Sequence, residues 1–300
     1  MAASGPLHRA EHPGAGGRFL QAAPYGGGGA AVLIGAPFDG TTSFVPGTRF
    51  GPARIREASF GLEEYSPALD CELSDVLLAD AGDLELPFGD VAAALEGVEA
   101  ACRGVVGAGG IPFLLGGEHL VTLPAVRACH SRYRDLAVIQ FDAHADLRDE
   151  YLGEPDSHAT VMRRIGEVVG FDSVYQFGIR SGTKEEFAYG KAFSGAFEPD
   201  VVKGARRAAQ LLEGGRPVYV TVDIDVVDPG FAPGTGTPEP GGCTPRELFE
   251  ALYSLRNLNV VGFDVVEVNP LTDTGFATAL LGAKLVREAA LLFAPRIGGE

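Results

Sequence analysis

The stretch Phe141–Asp146, F-D-A-H-A-D, places two carboxylates and an imidazole at alternate positions directly after a short apolar run, 136–141. Side chains two apart along an extended backbone share a side, so Asp142, His144 and Asp146 are expected on one face at a strand's carboxyl end. Such groups repel or desolvate one another unless a cation sits among them. A second run, P-V-Y-V-T-V at 217–222, ends in Asp223-Ile224-Asp225 and repeats the arrangement, with Ile224 turned toward packing. His119 leaves a third apolar run, 111–115, through the pair Gly116-Gly117. An aspartate at one strand end commonly does no more than start a loop. Two such clusters in one chain point to metal instead. Four aspartates and two imidazoles exceed what one small cation takes, and they suit two divalent ions about 3.5–4 Å apart, bridged by carboxylates and a water-derived hydroxide. Imidazole and carboxylate without thiolate favour manganese over a structural zinc. The acid left over, Glu267, is then free to attract a positively charged substrate.

These residues need strands to carry them. Apolar runs at 31–37, 76–79, 111–115, 136–141, 173–179, 217–222 and 260–268 read as strands. Helical signals fall between them. Gly51-Pro52 opens one before 53–58, Asp90 caps one whose apolar residues run from Val91 to Val105, and Val161, Ile165 and Val168 share a helical face. Asp200 caps a helix to about Leu212, Thr244-Pro245-Arg246-Glu247 is a capping box, and 276–293 is a long final helix. Strand–helix alternation implies an α/β fold, a three-layer α/β/α arrangement around a mostly parallel sheet, with ligands gathering at the strands' carboxyl ends.

Composition sets the remaining bounds. A chain of 300 residues, 46% of them hydrophobic, can bury a large core as a single domain. Its longest apolar runs fall short of the roughly 18 residues of a membrane span, and no compact apolar signal region opens it, so the expected location is cytoplasmic. Cys71, Cys102, Cys129 and Cys243 lack metal or disulfide spacing and read as buried thiols. A net charge of −16 disfavours nucleic acid or an anionic membrane as partner and suits a cationic small molecule. Residues 1–29 are Gly-, Ala-, Pro- and His-rich without a period. They are expected to be an extension lying on a neighbouring subunit of a homo-oligomer, with 30–300 as the catalytic domain.

The residues resemble the ureohydrolases, the family of arginase, agmatinase and their relatives. The matching pieces are G-G-E-H at 116–119, D-A-H-A-D at 142–146, Ser157-His158, T-V-D-I-D-V-V-D-P at 221–229, A-P-G-T-G-T-P-E-P-G-G at 232–242 and E-V-N-P at 267–270. The opening I-G-A-P-F-D and P-G-T-R-F-G-P-A-R-I-R at 46–56 look like the agmatinase branch. The resemblance implies an arginase/deacetylase-like fold, a trimer or hexamer, and two Mn²⁺ per subunit. It implies that His119, Asp142, Asp146 and Asp223 hold one ion and that Asp142, His144, Asp223 and Asp225 hold the other. Glu267 would pair with the substrate guanidinium, His158 would shuttle a proton toward the leaving amine, and Asp146 would be ligand and proton relay together.

The expected reaction is hydrolysis of agmatine to putrescine and urea, a step of polyamine biosynthesis. Guanidinobutyrate or another guanidino acid is the nearest competitor, because the far end of the site is not legible. Arginase is disfavoured, since the loop after Asp146 lacks the Asn and Ser that hold an α-amino acid head group. The related single-zinc deacetylases lack this full second-metal set, and intact ligands argue against an inactive homologue. One departure stands out: the residue after the histidine, usually glycine, is Ala159.

Overall fold

Why the acidic clusters meet follows from how the apolar runs pair. In chain order the strands are β1 (Ala23–Pro24), β2 (Ala31–Ala36), β3 (Tyr65–Ser66), β4 (Cys71–Glu72), β5 (Leu78–Asp83), β6 (Ile111–Gly116), β7 (Ala137–Phe141), β8 (Val174–Phe177), β9 (Ala196–Glu198), β10 (Pro217–Asp223) and β11 (Asn259–Val266). The helices are α1 (Gly51–Ser59), α2 (Val91–Gly107), α3 (Thr122–Arg132), α4 (Val161–Val169), α5 (Lys184–Phe193), α6 (Val201–Leu211), α7 (Pro245–Ser254) and α8 (Ala277–Phe293). The computed structural model describes residues 17–298. Among the described residues, nine strands form one sheet in the order β1-β5-β2-β6-β11-β10-β7-β8-β9, with every pair parallel, while β3 and β4 make a separate antiparallel ribbon. The four central strands β6, β11, β10 and β7 are immediate neighbours. Their carboxyl ends deliver His119, Glu267, Asp223 and Asp142.

Strand alternation builds the layers. On β10, Val218, Val220 and Val222 face α1, α6, α7 and α8, where Ile55, Ala205, Leu248 and Leu285 share one core. Tyr219 faces the other way, into a second core with Val98 of α2, Val126 of α3 and Ile165 of α4. Both faces of the sheet are therefore covered, as a parallel sheet requires. At about 1.5–3 kcal/mol for each large aliphatic or aromatic side chain fully removed from water, these two cores hold the sheet rigid under the site.

The expected three-layer fold is present, with local differences. The strand expected at 76–79 lies two residues later as β5, because Val76 instead bridges to Arg296. A helix and an edge strand, α5 and β9, fall in a stretch that the apolar pattern left unread, although Thr183 and Glu186 form a capping box. Within residues 17–29, Phe19 and Ala22 pack against their own chain, while 26–29 are exposed. Phe19 is buried, its backbone N–H donates to Asp80, and β1 extends the sheet beyond β5. The rest of the extension expected on a neighbouring subunit, residues 1–16, lies outside the described residues. Cys71, Cys102 and Cys129 are buried and Cys243 is half-buried, all as free thiols. Among the described residues no helix is long and apolar enough to cross a membrane.

Candidate metal centre

Backbone staples between strand ends set the geometry. Past β6, Gly117 runs so close to the 36–38 segment that a Cβ there would overlap the Phe38 carbonyl. Glu118 N–H donates to the Phe38 carbonyl (2.8 Å), and Glu267 N–H donates to the Gly117 carbonyl (2.8 Å). His119 N–H then donates to Glu267 Oε1 at 2.8 Å, which locks the candidate substrate-binding acid to the candidate ligand histidine.

The aspartate clusters do not use the pleat in the way the spacing predicts. β7 stops at Phe141, and Asp146 reaches the site through a left-handed backbone, φ 52°. β10 stops at Asp223, and a short 3-10 turn over Ile224–Val226 swings Asp225 round, its N–H donating to Asp223 Oδ1 (2.9 Å). The apolar residues between do face packing: Ala143, Ala145 and Ile224 are fully buried. Glu267 also sits in the left-handed region, φ 63°, just past β11.

All six expected metal ligands converge. Two groups have ligand atoms within 4.8 Å of one another, His119–Asp142–Asp223 and Asp142–His144–Asp225. Asp142 is common to both. Asp146 joins the first group, its Oδ2 lying 3.2 Å from His119 Nδ1. Asp223, expected in both sets, stands in the first group alone and meets the second through the N–H of Asp225. Glu267 and His158 line the same cavity, of about 310 Å³, as do Ala159 and Tyr151.

Whether these residues fit a cation is decided by His119. Its Nδ1 is buried, faces carboxylate oxygens of Asp142, Asp146 and Asp223 at 2.9, 3.2 and 3.4 Å, and makes a well-formed hydrogen bond to none of them. Its other nitrogen, Nε2, lies 3.0 Å from Thr221 Oγ1, which fixes the ring from behind. A nitrogen aimed between three carboxylates and held from its far side is the arrangement of a metal ligand. The electrostatics agree. Burial alone would lower the His119 and His144 pKa values, yet the surrounding aspartates raise His119 well above its ordinary value and His144 to about 11. Burial and mutual repulsion push Asp142 up to about 7 and Asp223 well above the carboxylate range. The cluster demands positive charge, and without it borrows protons.

Several supporting groups carried no role in the sequence reading. Thr122 Oγ1 and Tyr219 Oη both donate to buried Asp264 Oδ2 at 2.8 Å, behind Thr221. Gln140 Nε2 donates to Asp142 Oδ2 at 2.6 Å and is itself backed by Gln176. Asp264 gave a signal, as an acid inside an apolar run; the hydroxyls and amides gave none. Glu118, quoted within its motif without a role, is raised by burial to about 7 and accepts hydrogen bonds from Thr41 and Thr42.

His158 opens a turn capped by Ser157, its N–H donating to Thr41 Oγ1 (3.1 Å) and its Nε2 lying 3.2 Å from Ser43 Oγ. Burial lowers its pKa below 6.5, so the ring is neutral at pH 7. A step that needs this neutral imidazole weakens as pH falls through a midpoint below 6.5 and is fully available above it. With metal kept saturating, the acid limb of the pH–kcat/KM profile is expected to shift or vanish in His158→Asn; an unchanged limb removes His158 from proton handling.

Comparison with known proteins follows the same lines. The model of the Arginase family matches residues 29–292. An agmatinase of Bacillus anthracis is 50% identical over 263 residues, covering 87% of this chain and 90% of its own. A guanidinobutyrase of Pseudomonas aeruginosa is 36% identical over 274 residues, covering 86% and 84%. The solved structure of proclavaminate amidino hydrolase from Streptomyces clavuligerus superposes with a TM-score of 0.85 at 35% identity, covering 96% of this chain and 98% of that one.

Proposed function

The chain belongs to the arginase family, and from that premise we propose that it is an agmatinase-type ureohydrolase with two manganese ions, cleaving agmatine to putrescine and urea. One observation carries the proposal: two ligand groups sharing Asp142 open into the cavity that Glu267 lines. The strong identity to an agmatinase along most of both chains supports the choice of substrate. Two imidazoles and four carboxylates without a thiolate suit manganese.

His119, Asp142, Asp146 and Asp223 would hold one ion; Asp142, His144, Asp223 and Asp225 would hold the other. When bound, such a pair supplies a nucleophile of hydroxide character from water near neutral pH, where free water is inert toward a resonance-stabilised guanidinium carbon. The chain does the rest. Glu267 presents a carboxylate to the planar guanidinium fork. Burial first, and Glu118 next, raise its pKa well above the ordinary range, so it favours a positive partner strongly. That pairing orients the carbon toward the ligand cluster and excludes water from its far side. Asp146, at the cluster's edge, takes a proton from the attacking water and passes it to the departing nitrogen. His158, neutral and steadied by Thr41 and Ser43, exchanges protons between that nitrogen and solvent.

The enzyme belongs by this reading to cytoplasmic polyamine synthesis and works as a homo-oligomer, a trimer or hexamer. Guanidinobutyrate is the competing substrate, on the strength of the guanidinobutyrase relative. Urea release from a panel of guanidines, with and without added manganese, ranks the substrates. Agmatine is expected first, with activity dependent on manganese. No urea from any guanidine would end the hydrolase reading.

A further inference from the structure

We propose that Arg180 is a positioning residue that couples the cavity wall to the second ligand group. Its partners among the described residues are all carbonyl oxygens. Nη2 donates to Asp225 O (2.7 Å) and Glu239 O (2.6 Å), Nη1 to Val226 O (3.1 Å) and Gly178 O (3.3 Å), and Nε to Glu239 O (3.2 Å). A guanidinium has five N–H donors in a fixed plane, and all five are spent here. Arginine is not needed to neutralise an acid at this point; it is holding two backbone segments at a set distance.

The segments it holds are functional ones. Asp225 and Val226 belong to the turn that swings a candidate ligand into place. Glu239 belongs to the 229–242 loop, which brings Thr237 and Glu239 to the cavity. That loop is closed at its base: Asp228 accepts from the N–H groups of Gly230, Gly241 and Gly242, and Cys243 N–H donates to Val226 O. On its other side the Arg180 backbone N–H donates to Ala143 O at 2.8 Å, between Asp142 and His144. One residue therefore joins three parts of the site: its backbone holds the 142–144 segment, and its side chain holds the 225–226 turn and the cavity wall. Gly242 completes the fit. A Cβ there would press first on the Asp228 backbone N, then on Val226 O and the Arg180 guanidinium.

Lysine offers one point charge with three donors and cannot span four carbonyls. Arg180→Lys is expected to weaken manganese binding at one of the two sites by roughly 10- to 100-fold and leave the other site intact. Misplacing the wall and turn together is expected to lower kcat for agmatine by up to about 100-fold. Gly242→Ala disturbs the same contact from the opposite side, together with the base of the loop at Asp228, and should give the same signature. Arg216→Lys is the control, since Arg216 also clasps a carbonyl, Asp135 O, but at the strands' amino ends.

The experiment is manganese titration by equilibrium dialysis with elemental analysis, alongside kinetics and melting temperature. Selective loss of one site in Arg180→Lys and Gly242→Ala, absent in Arg216→Lys, supports the coupling. Full occupancy of both sites with only a lowered Tm, in either variant that folds, reduces Arg180 to a structural brace and overturns the proposal, as does failure of both to fold. The kinetic arm rests on the ureohydrolase reading and the binding arm does not. Absence of urea from agmatine with the unaltered protein would overturn that reading while the manganese titration still decides the role of Arg180.

Discussion

Asp225→Asn is expected to leave the protein folded with about one manganese ion per chain instead of two and to lower turnover by more than the roughly 10- to 100-fold typical of losing an outer support of a metal site. The side chain holds three things at once. Its Oδ2 is 2.9 Å from His144 Nδ1, its Oδ1 accepts the Ala143 N–H at 3.0 Å, and it is one of three ligand donors in the second group. Asparagine keeps one oxygen and no charge. His144, raised to about 11 chiefly by Asp225 against the opposing effect of burial, would lose its principal partner and fall back toward its ordinary range. The change therefore has a signature without metal as well, a His144 ring that titrates lower by NMR. Two ions per chain by elemental analysis, at unchanged affinity, would contradict the ligand role.

Glu267→Gln separates substrate capture from metal binding. The glutamate is buried, and the amide can still accept the His119 N–H, so both ions are expected to remain. What is lost is the charge-assisted fork to a guanidinium. Removing one partner of a buried, hydrogen-bonded charge pair costs about 2–5 kcal/mol, which is roughly 30- to several-thousand-fold in kcat/KM. Kinetics and metal analysis on the same preparation check it. Unchanged kinetic constants would dismiss the contact, and a lost ion would make Glu267 part of the metal site.

Much of this was legible because sheet physics and ligand chemistry leave separate marks. Apolar runs at 111–115, 136–141, 217–222 and 260–268 became β6, β7, β10 and β11, each within about a residue or two, and the caps at Asp90, Asp200 and Thr244 begin helices as read. That these carboxylates and imidazoles gather at one end of the sheet was legible because such groups are rare where apolar strands end. How they meet was not. The alternation of Asp142, His144 and Asp146 predicts a shared pleat face, but β7 has ended and a left-handed residue replaces the pleat there, as a 3-10 turn does after β10. Such turns depend on tertiary staples like the Glu267 N–H to Gly117 carbonyl, which join residues about 150 apart and leave no local pattern. Thr221 and Arg180 were hidden for a related reason: their partners are backbone atoms or residues distant in sequence. Strand β1 escaped because two residues at a sheet edge carry no period.

The left-handed backbones of Asp146 and Glu267 have an energetic consequence. A side chain other than glycine held there costs on the order of 1–3 kcal/mol unless its surroundings over-determine it. Glycine at either position would relax the backbone and discard the carboxylate in the same stroke. At Glu267 the same change would also leave the buried His119 N–H without its acceptor, so the strain there is offset by a contact that only the glutamate makes.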